Sequence, residues 1–490
     1  MNCLSKDNVQ LLDLPDELIL NIMNKVKPHV LLLSSIITIG NNRLEQLALD
    51  KCHSIDLTFD YVQSPYETLI QRFYLDIMPH IVNNIQSLTL TIRHIPHIIT
   101  FAEKNFNGTL PNLTHLKIMI GKQHDQTGTP YTVHRSRMKH YRIFRRSKPL
   151  LPIIPQFVRL EGYIGSRILY TVRCSPLMRS IVSFELDDEC ILPIVSNPEN
   201  ADIISQIESI SCPHLKQLTM KIYQNIIHYE ECIVSLLQRF SNIEYLTLLL
   251  AIDGTTSRLN NFVNGFDLEK DIVSYMPNLR QFNFHIRTIF ENATHIEIDT
   301  IRQSFLKYQK ESVDCAVDYF NNNYSQCQIY SLPFIGNRLD FISNRFPLFN
   351  MNKTFSMVTM LLLFDDVKPF ENLFFARIAR DLPCLRTLEL FNELEQQEKT
   401  RVTTINLEFT HLSTLILFDI HMDYAEQFLY RSHLPCLFEL VIDKDILLTI
   451  IAQDQQQARD NCSKVENLLT SETYCDSVDA VRKFFPLVSH

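Results

Sequence analysis

The residues with the plainest capacity for chemistry lie between 134 and 148. His134-Arg135-Ser136-Arg137-Met138-Lys139-His140-Tyr141-Arg142-Ile143-Phe144-Arg145-Arg146-Ser147-Lys148 places seven Lys or Arg among fifteen residues, with aromatics between them. Arg135, Arg137, Lys139, Arg142, Arg145 and Arg146 are the candidate contacts to an anionic partner: nucleic acid, anionic lipid or an acidic protein segment. A nuclear-import signal has the same composition. Against this stands the reading as a solvated insertion loop, which a single basic stretch without a recognisable nucleic-acid fold favours. The chain as a whole carries a formal net charge of −9, so nucleic acid is not expected as its general partner.

Other reactive side chains gather less well. His94 and His97 flank Ile95-Pro96, but a metal needs further ligands and none is adjacent, so both read as surface or strand-end histidines. Asp187-Asp188-Glu189 and Asp365-Asp366 follow strand-like segments and read as turn-solvating carboxylates. The 12 cysteines form no CxxC pair; Cys212, Cys384 and Cys436 recur at one kind of position and are expected buried and reduced. Nine glycines leave little material for phosphate-cradling loops, and Gly162-x-x-Gly165 stands alone. GxSxG, HExxH, P-loop and dinucleotide fingerprints are all missing. No catalytic residue, cofactor or metal is assigned, and the chain is not read as an enzyme.

The elements that would position any site begin after a polar tail, residues 1–10. This tail lacks the apolar core of a signal peptide. Val30 to Ile39, the longest apolar-rich run, is about half the length of a membrane span. A soluble intracellular protein of cytoplasm or nucleus is expected. Residues 11–50 predict three short helices. Asp13 is the expected N-cap, Pro15 fits a first turn, and Leu18, Ile22 and Val26 recur at helical spacing until Pro28. So small a module needs either the next domain or a partner to be stable.

Leu14-Pro15-Asp16-Glu17-Leu18-Ile19-Leu20-Asn21-Ile22-Met23 resembles the opening of an F-box, with its LPxE(L/I)xxxI pattern. Val30-Leu31-Leu32-Leu33-Ser34 stands where that family has LLxxS, and Arg43-Leu44-Glu45-Gln46-Leu47-Ala48-Leu49-Asp50, which reads RxxxLAxD, resembles its terminal segment. The match covers about a tenth of the chain. It lacks the usual late aromatic at Asn42-Arg43-Leu44, and the chain has no tryptophan. The resemblance implies docking on the Skp adaptor of a cullin–RING ubiquitin ligase, with Leu14, Pro15, Leu18, Ile22, Leu32 and Leu33 as the adaptor-binding residues. An amphipathic cap on the following array is the competing reading.

From residue 51 to 442 one frame recurs: Leu382-Pro383-Cys384-Leu385-Arg386-Thr387-Leu388-Glu389-Leu390, again from Leu434, and earlier from Met276, Cys212 and Leu110. Apolar anchors at Ile85, Leu113, Leu215, Ile243, Leu279, Val358, Leu385, Leu412 and Leu437 are mostly 25 to 28 residues apart where copies are consecutive. Helix-like material, a Pro turn and a short alternating strand make up each unit, which predicts parallel strands with helices outside. This resembles the leucine-rich-repeat part of F-box proteins and implies an irregular horseshoe, although the consensus Asn after the strand is mostly missing, as at His285 and Phe391. Irregular intervals near 123–180 and 288–354 are expected as insertions, the second with a helix from Ile298 to Phe320 and a loop at Asn321-Asn322-Asn323. Residues 443–490 are expected as a helical C-terminal cap.

The fold class expected is therefore α/β: a small helical F-box followed by a leucine-rich-repeat-like solenoid. The function expected is that of a substrate-recognition subunit, binding the Skp adaptor through the box and an unknown substrate protein through the repeats. Exposed strand residues such as Arg280, Asn283, Thr387 and Glu389 would read the substrate. The alternative is a non-catalytic leucine-rich-repeat scaffold without ligase association, and a third reading follows the basic stretch to nucleic acid.

Overall fold

A computed structural model describes residues 11–26, 29–37, 40–49, 56–59, 73–91, 94–119, 181–188, 212–226, 229–256, 261–305, 313–321, 323–347, 354–397, 407–470 and 478–488. They form two compact units: the first runs to residue 282 apart from 259–267, and the second comprises 259–267 and 283–490.

Three helices open the first unit: α1 (Asp16–Lys25), α2 (His29–Ile36) and α3 (Asn42–Ala48). Asp13 is not the N-cap of α1. It belongs to a 3-10 turn, Leu11–Asp13, and Pro15 holds the cap position, its carbonyl accepting from Leu18 and Ile19 N–H. Proline loses nothing there because its missing N–H would have been unpaired in any case. Ile19, Met23, Leu32, Leu33, Leu44 and Ala48 are buried. Helix α2 packs on the first strand and on the helical turn Phe73–Ile77, so the module rests on the array.

The strands of the first unit are β1 (Asp56–Phe59), β2 (Ser87–Thr91), β3 (His115–Met119), β4 (Ser183–Asp188), β5 (Gln217–Ile226) and β6 (Tyr245–Asp253). Each pairs in parallel with the next in chain order. The chain enters the second unit along β7 (Gln281–Glu291), where β8 (Val313–Tyr319) and β9 (Tyr324–Ser331) join it antiparallel in the order β7-β9-β8. Then follow β10 (Arg338–Ile342), β11 (Met360–Phe364), β12 (Thr387–Asn392), β13 (Leu407–Glu408), β14 (Thr414–Ile420), β15 (Ser432–His433), β16 (Glu439–Ile442) and β17 (Asn467–Thr470). These make a parallel sheet in the order β10-β11-β12-β14-β16-β17, with β13 and β15 paired beside it.

One turn repeats through both units. The anchor N–H bonds the carbonyl three residues back: Leu113 to Leu110, Leu215 to Cys212, Ile243 to Phe240, Leu385 to Leu382, Leu437 to Leu434. This is a β-turn with proline at its second position, where a fixed φ suits it, in all of these but the Ile243 copy, which has Ser241 there. The next two N–H groups both donate to one carbonyl of the preceding repeat, as Arg386 and Thr387 do to Thr359, and Ser413 and Thr414 to Arg386. Cys384 and Cys436 hold the third position of the turn and are exposed, whereas Cys212 holds the first and is buried. The expectation that all three are buried is thus corrected by their place in the turn.

The same turn without proline, Cys462-Ser463-Lys464-Val465, precedes β17. The C-terminal segment is therefore not wholly a helical cap. Helices Lys444–Gln453 and Gln456–Cys462 lead into one more strand of the sheet, in register with β16.

In the interval 288–354 a helix spans Ile298–Phe305, but Val313–Tyr319, expected as its continuation to Phe320, is strand β8 and pairs antiparallel with β9. Asp314 and Asp318 give this stretch the look of a polar helix face, yet both are buried. Asp314 accepts from Arg302 Nη2 at 2.9 Å, and Asp318 from Ser343 Oγ at 2.6 Å and Gln326 Nε2 at 2.9 Å. The other irregular interval, 123–180, lies outside the described residues, and strand β4 (Ser183–Asp188) follows it.

In the second unit Leu361, Leu363, Leu388, Leu390, Leu415, Leu417, Leu440 and Ile442 share one core with Phe374, Phe375 and Ile378 of the helix Asn372–Asp381 and with Tyr424 and Phe428 of Met422–Leu429. Asn461 locks the last repeat on. Its amide donates to Leu429 O at 3.0 Å and Ser432 O at 2.8 Å, and its oxygen accepts from Leu434 N–H at 2.9 Å. Each buried backbone group left unpaired costs about 1–3 kcal/mol. Asn461→Ala is expected to lower the unfolding free energy by at least about 2 kcal/mol, read as a fall in the urea midpoint.

Candidate functional site

Helix α1 is apolar on two faces. Ile19 and Met23 point into the module, whereas Leu18 is 48% exposed and Ile22 45%, with Val26 one turn further along. Spacing of four residues aligns these three on one stripe. Leu11 and Leu12, in the 3-10 turn before the helix, are also exposed. Among the described residues no packing covers this stripe. Pro15 is exposed beside it and Leu14 is half-buried.

Leu32 and Leu33 do not join that surface. At 6% and 0% exposure they belong to the interior of the module, so four of the six adaptor-binding candidates reach solvent and two support them from within. Sequence spacing alone could not separate the two groups, because α2 is apolar on nearly every side. A further residue stands out that the spacing did not assign to the site. Arg43 of α3 donates from Nε to Asp16 Oδ1 at 2.8 Å, from Nη1 to Leu12 O at 2.7 Å and from Nη2 to Leu14 O at 2.7 Å.

The strand faces turned away from the helices differ between the two units. In the first unit the row in register is Thr58, Thr89, Lys117, Glu185, Thr219 and Thr247, all half-buried. Glu185 Oε1 accepts from Lys221 Nζ at 2.7 Å and Lys117 Nζ at 3.1 Å. Burial pushes its carboxyl up, but the bonds and charges of the two lysines outweigh this and hold it below the usual carboxylate range.

The corresponding row in the second unit is Leu362, Glu389, Ile416, Val441 and Leu469, with Phe364, Phe391 and Phe418 further along the strands. Most of it is buried, and Glu389 is only 1% exposed. Of the strand residues expected to face a substrate, Arg280 is exposed and Asn283 and Thr387 are half-buried, but Glu389 is not on the surface. Its register neighbours are buried apolar residues, and the sequence could not show that.

At the bulge where β10 departs from register, Phe341 adopts φ 56°, and the Arg287 guanidinium lies 4.3 Å from its ring centroid. Gln326 and Gln328 of β9 donate from their side-chain amides to Phe341 O at 2.6 Å and Asp340 O at 3.1 Å. His285 is buried here against Gln328 Oε1 at 2.9 Å.

The remaining candidates resolve into structure. His94 is buried against Phe59, contrary to the surface reading, and His97 is exposed and stacks on Tyr74. Asp365 is likewise buried, accepting from Asn344, Val367 and Lys368 N–H. Among the described residues no group of three or more His, Cys, Asp or Glu could hold a metal ion. No helix of the described residues is long and apolar enough to cross a membrane. Arg135, Arg137, Lys139, Arg142, Arg145 and Arg146 lie outside the described residues. No protein-family model matches the chain, and no curated protein matches it.

Burial pushes His285 down to about 4, with Arg287 acting the same way; the bond to Gln328 and the charge of Asp340 oppose this. A base whose folded value lies below its unfolded value of 6.5 binds fewer protons when folded. Its contribution is therefore fully present above 6.5 and is lost as pH falls towards 4. His285→Gln is expected to flatten the fall in urea midpoint between these pH values, a difference on the order of 3 kcal/mol at most.

Proposed function

We propose that the N-terminal module docks the chain on the Skp adaptor of a cullin–RING ubiquitin ligase, in the manner of an F-box, and that the repeat array holds a substrate protein. The observation that carries this reading is the second apolar stripe of α1, Leu18, Ile22 and Val26, exposed beside Leu11 and Leu12. Covering the exposed half of one such leucine or isoleucine contributes about 1 kcal/mol, so several must be covered together to offset the cost of association. The LPDE start and the terminal RxxxLAxD support the choice of partner by resemblance.

In this reading the chemistry is positional. The chain brings a target close to an active site on another subunit, and no group of its own reacts. The leucine-rich-repeat character proposed for the array supports the second half of the reading. Parallel strands present one polar row and one apolar row, and short repeats of this kind are suited to reading extended protein surfaces.

Leu18→Asp with Ile22→Asp is expected to reduce adaptor co-precipitation by about a hundredfold with a smaller fall in melting temperature than a core substitution causes, because about half of each residue already faces water. Failure of the wild-type chain to bind the adaptor would overturn the reading. Leu33→Ala, by contrast, is expected to destabilise the module by about 2–5 kcal/mol, seen as a lower melting temperature.

A further inference from the structure

Arg43 is exposed, yet each nitrogen of its guanidinium donates a hydrogen bond. Two of its three partners are backbone carbonyls, Leu12 O and Leu14 O, and the third is the carboxylate of Asp16, the first residue of α1. The Arg43–Asp16 pair is solvent-exposed, with side chains 43% and 54% accessible, so as an ion pair it stabilises little. What it does is geometric. The planar fork spans the turn Leu11–Asp13 and the start of α1 together, which the point charge of a lysine cannot do. No side chain caps α1, and the clamp takes over the task of fixing the chain direction into the helix.

The turn so fixed carries Leu11 and Leu12, which are 44% and 42% exposed. Neither leucine is held by burial, so the Arg43 clamp sets where they stand relative to Leu18 and Ile22. We propose that the docking surface has two parts, the turn Leu11–Leu12 and the stripe of α1, and that Arg43 is the positioning residue that joins them. Arg43 does not itself contact the partner. This inference rests on the docking reading above and specifies how that surface is assembled.

The test is a double-mutant cycle on adaptor affinity, measured by calorimetry with the full chain and purified Skp adaptor. Leu11→Ala with Leu12→Ala is expected to weaken binding about tenfold. Arg43→Gln is expected to weaken it to a similar degree, and the triple variant no further, because the leucines contribute only when clamped. Arg43→Lys, which keeps the charge, is expected to behave like Arg43→Gln. Additive effects of the clamp and the leucines, or an Arg43→Gln variant as tight as wild type, would overturn the proposal. If Arg43→Gln lowers the melting temperature enough to obscure its binding, the leucine pair still decides: equal affinity of that variant and wild type overturns the two-part surface. Wild type that fails to bind sinks the docking reading itself, a result distinct from either of these.

Discussion

The parallel strands β3 to β6, and β11, β12, β14, β16 and β17, each depend on the one before through a single arrangement. Two successive N–H groups converge on one carbonyl of the preceding repeat, immediately after a turn closed by the anchor residue. Parallel strands cannot close their hydrogen bonds by local hairpins, so every repeat needs its neighbour in place. Side chains reinforce the same step. Asn112, Asn242 and Lys464, each in the third position of its turn, donate to Asn83 O, Pro213 O and Pro435 O of the preceding turn. Thr114, Thr359 and Ser413, just after the anchor, bond the carbonyl that the backbone already uses.

This constraint accounts for which parts of the sequence could be read. A proline, an apolar anchor three residues after the turn begins and an alternating tail locate most strands, because these residue types are what the turn and the pleat require. Copies with Ser in place of Pro carry the same backbone and a weaker signature, and β17 was missed for that reason. The hairpin β8–β9 was hidden differently. Buried Asp314 and Asp318 are satisfied by Arg302, Ser343 and Gln326, partners far enough away in sequence that polarity looked like exposure. Asn392, one place after Phe391, is buried and donates to Lys368 O in the preceding repeat, a contact that no local pattern reveals.

The site was legible in part. Periodicity places Leu18 and Ile22 on one stripe, and the structure exposes that stripe; it could not say that Leu32 and Leu33 face inward, since a helix apolar all round gives no direction. Arg43 was visible only as one letter of a motif. Its three partners come from backbone and from a side chain 27 residues earlier, which no local pattern encodes. Glu389 teaches the same lesson from the other side, for a charged residue in an alternating strand reads as solvent-facing until its register neighbours are known.

In the second unit, the antiparallel strands meet β10 through Gln326 and Gln328, whose side-chain amides take the place of ladder N–H groups. Ser343 Oγ to Asp318 Oδ1 and Arg345 Nη2 to Tyr319 O cross the same seam. In a backbone ladder no substitution short of proline removes a bond, whereas here the identity of two glutamine side chains decides whether the carbonyls of Asp340 and Phe341 are paired.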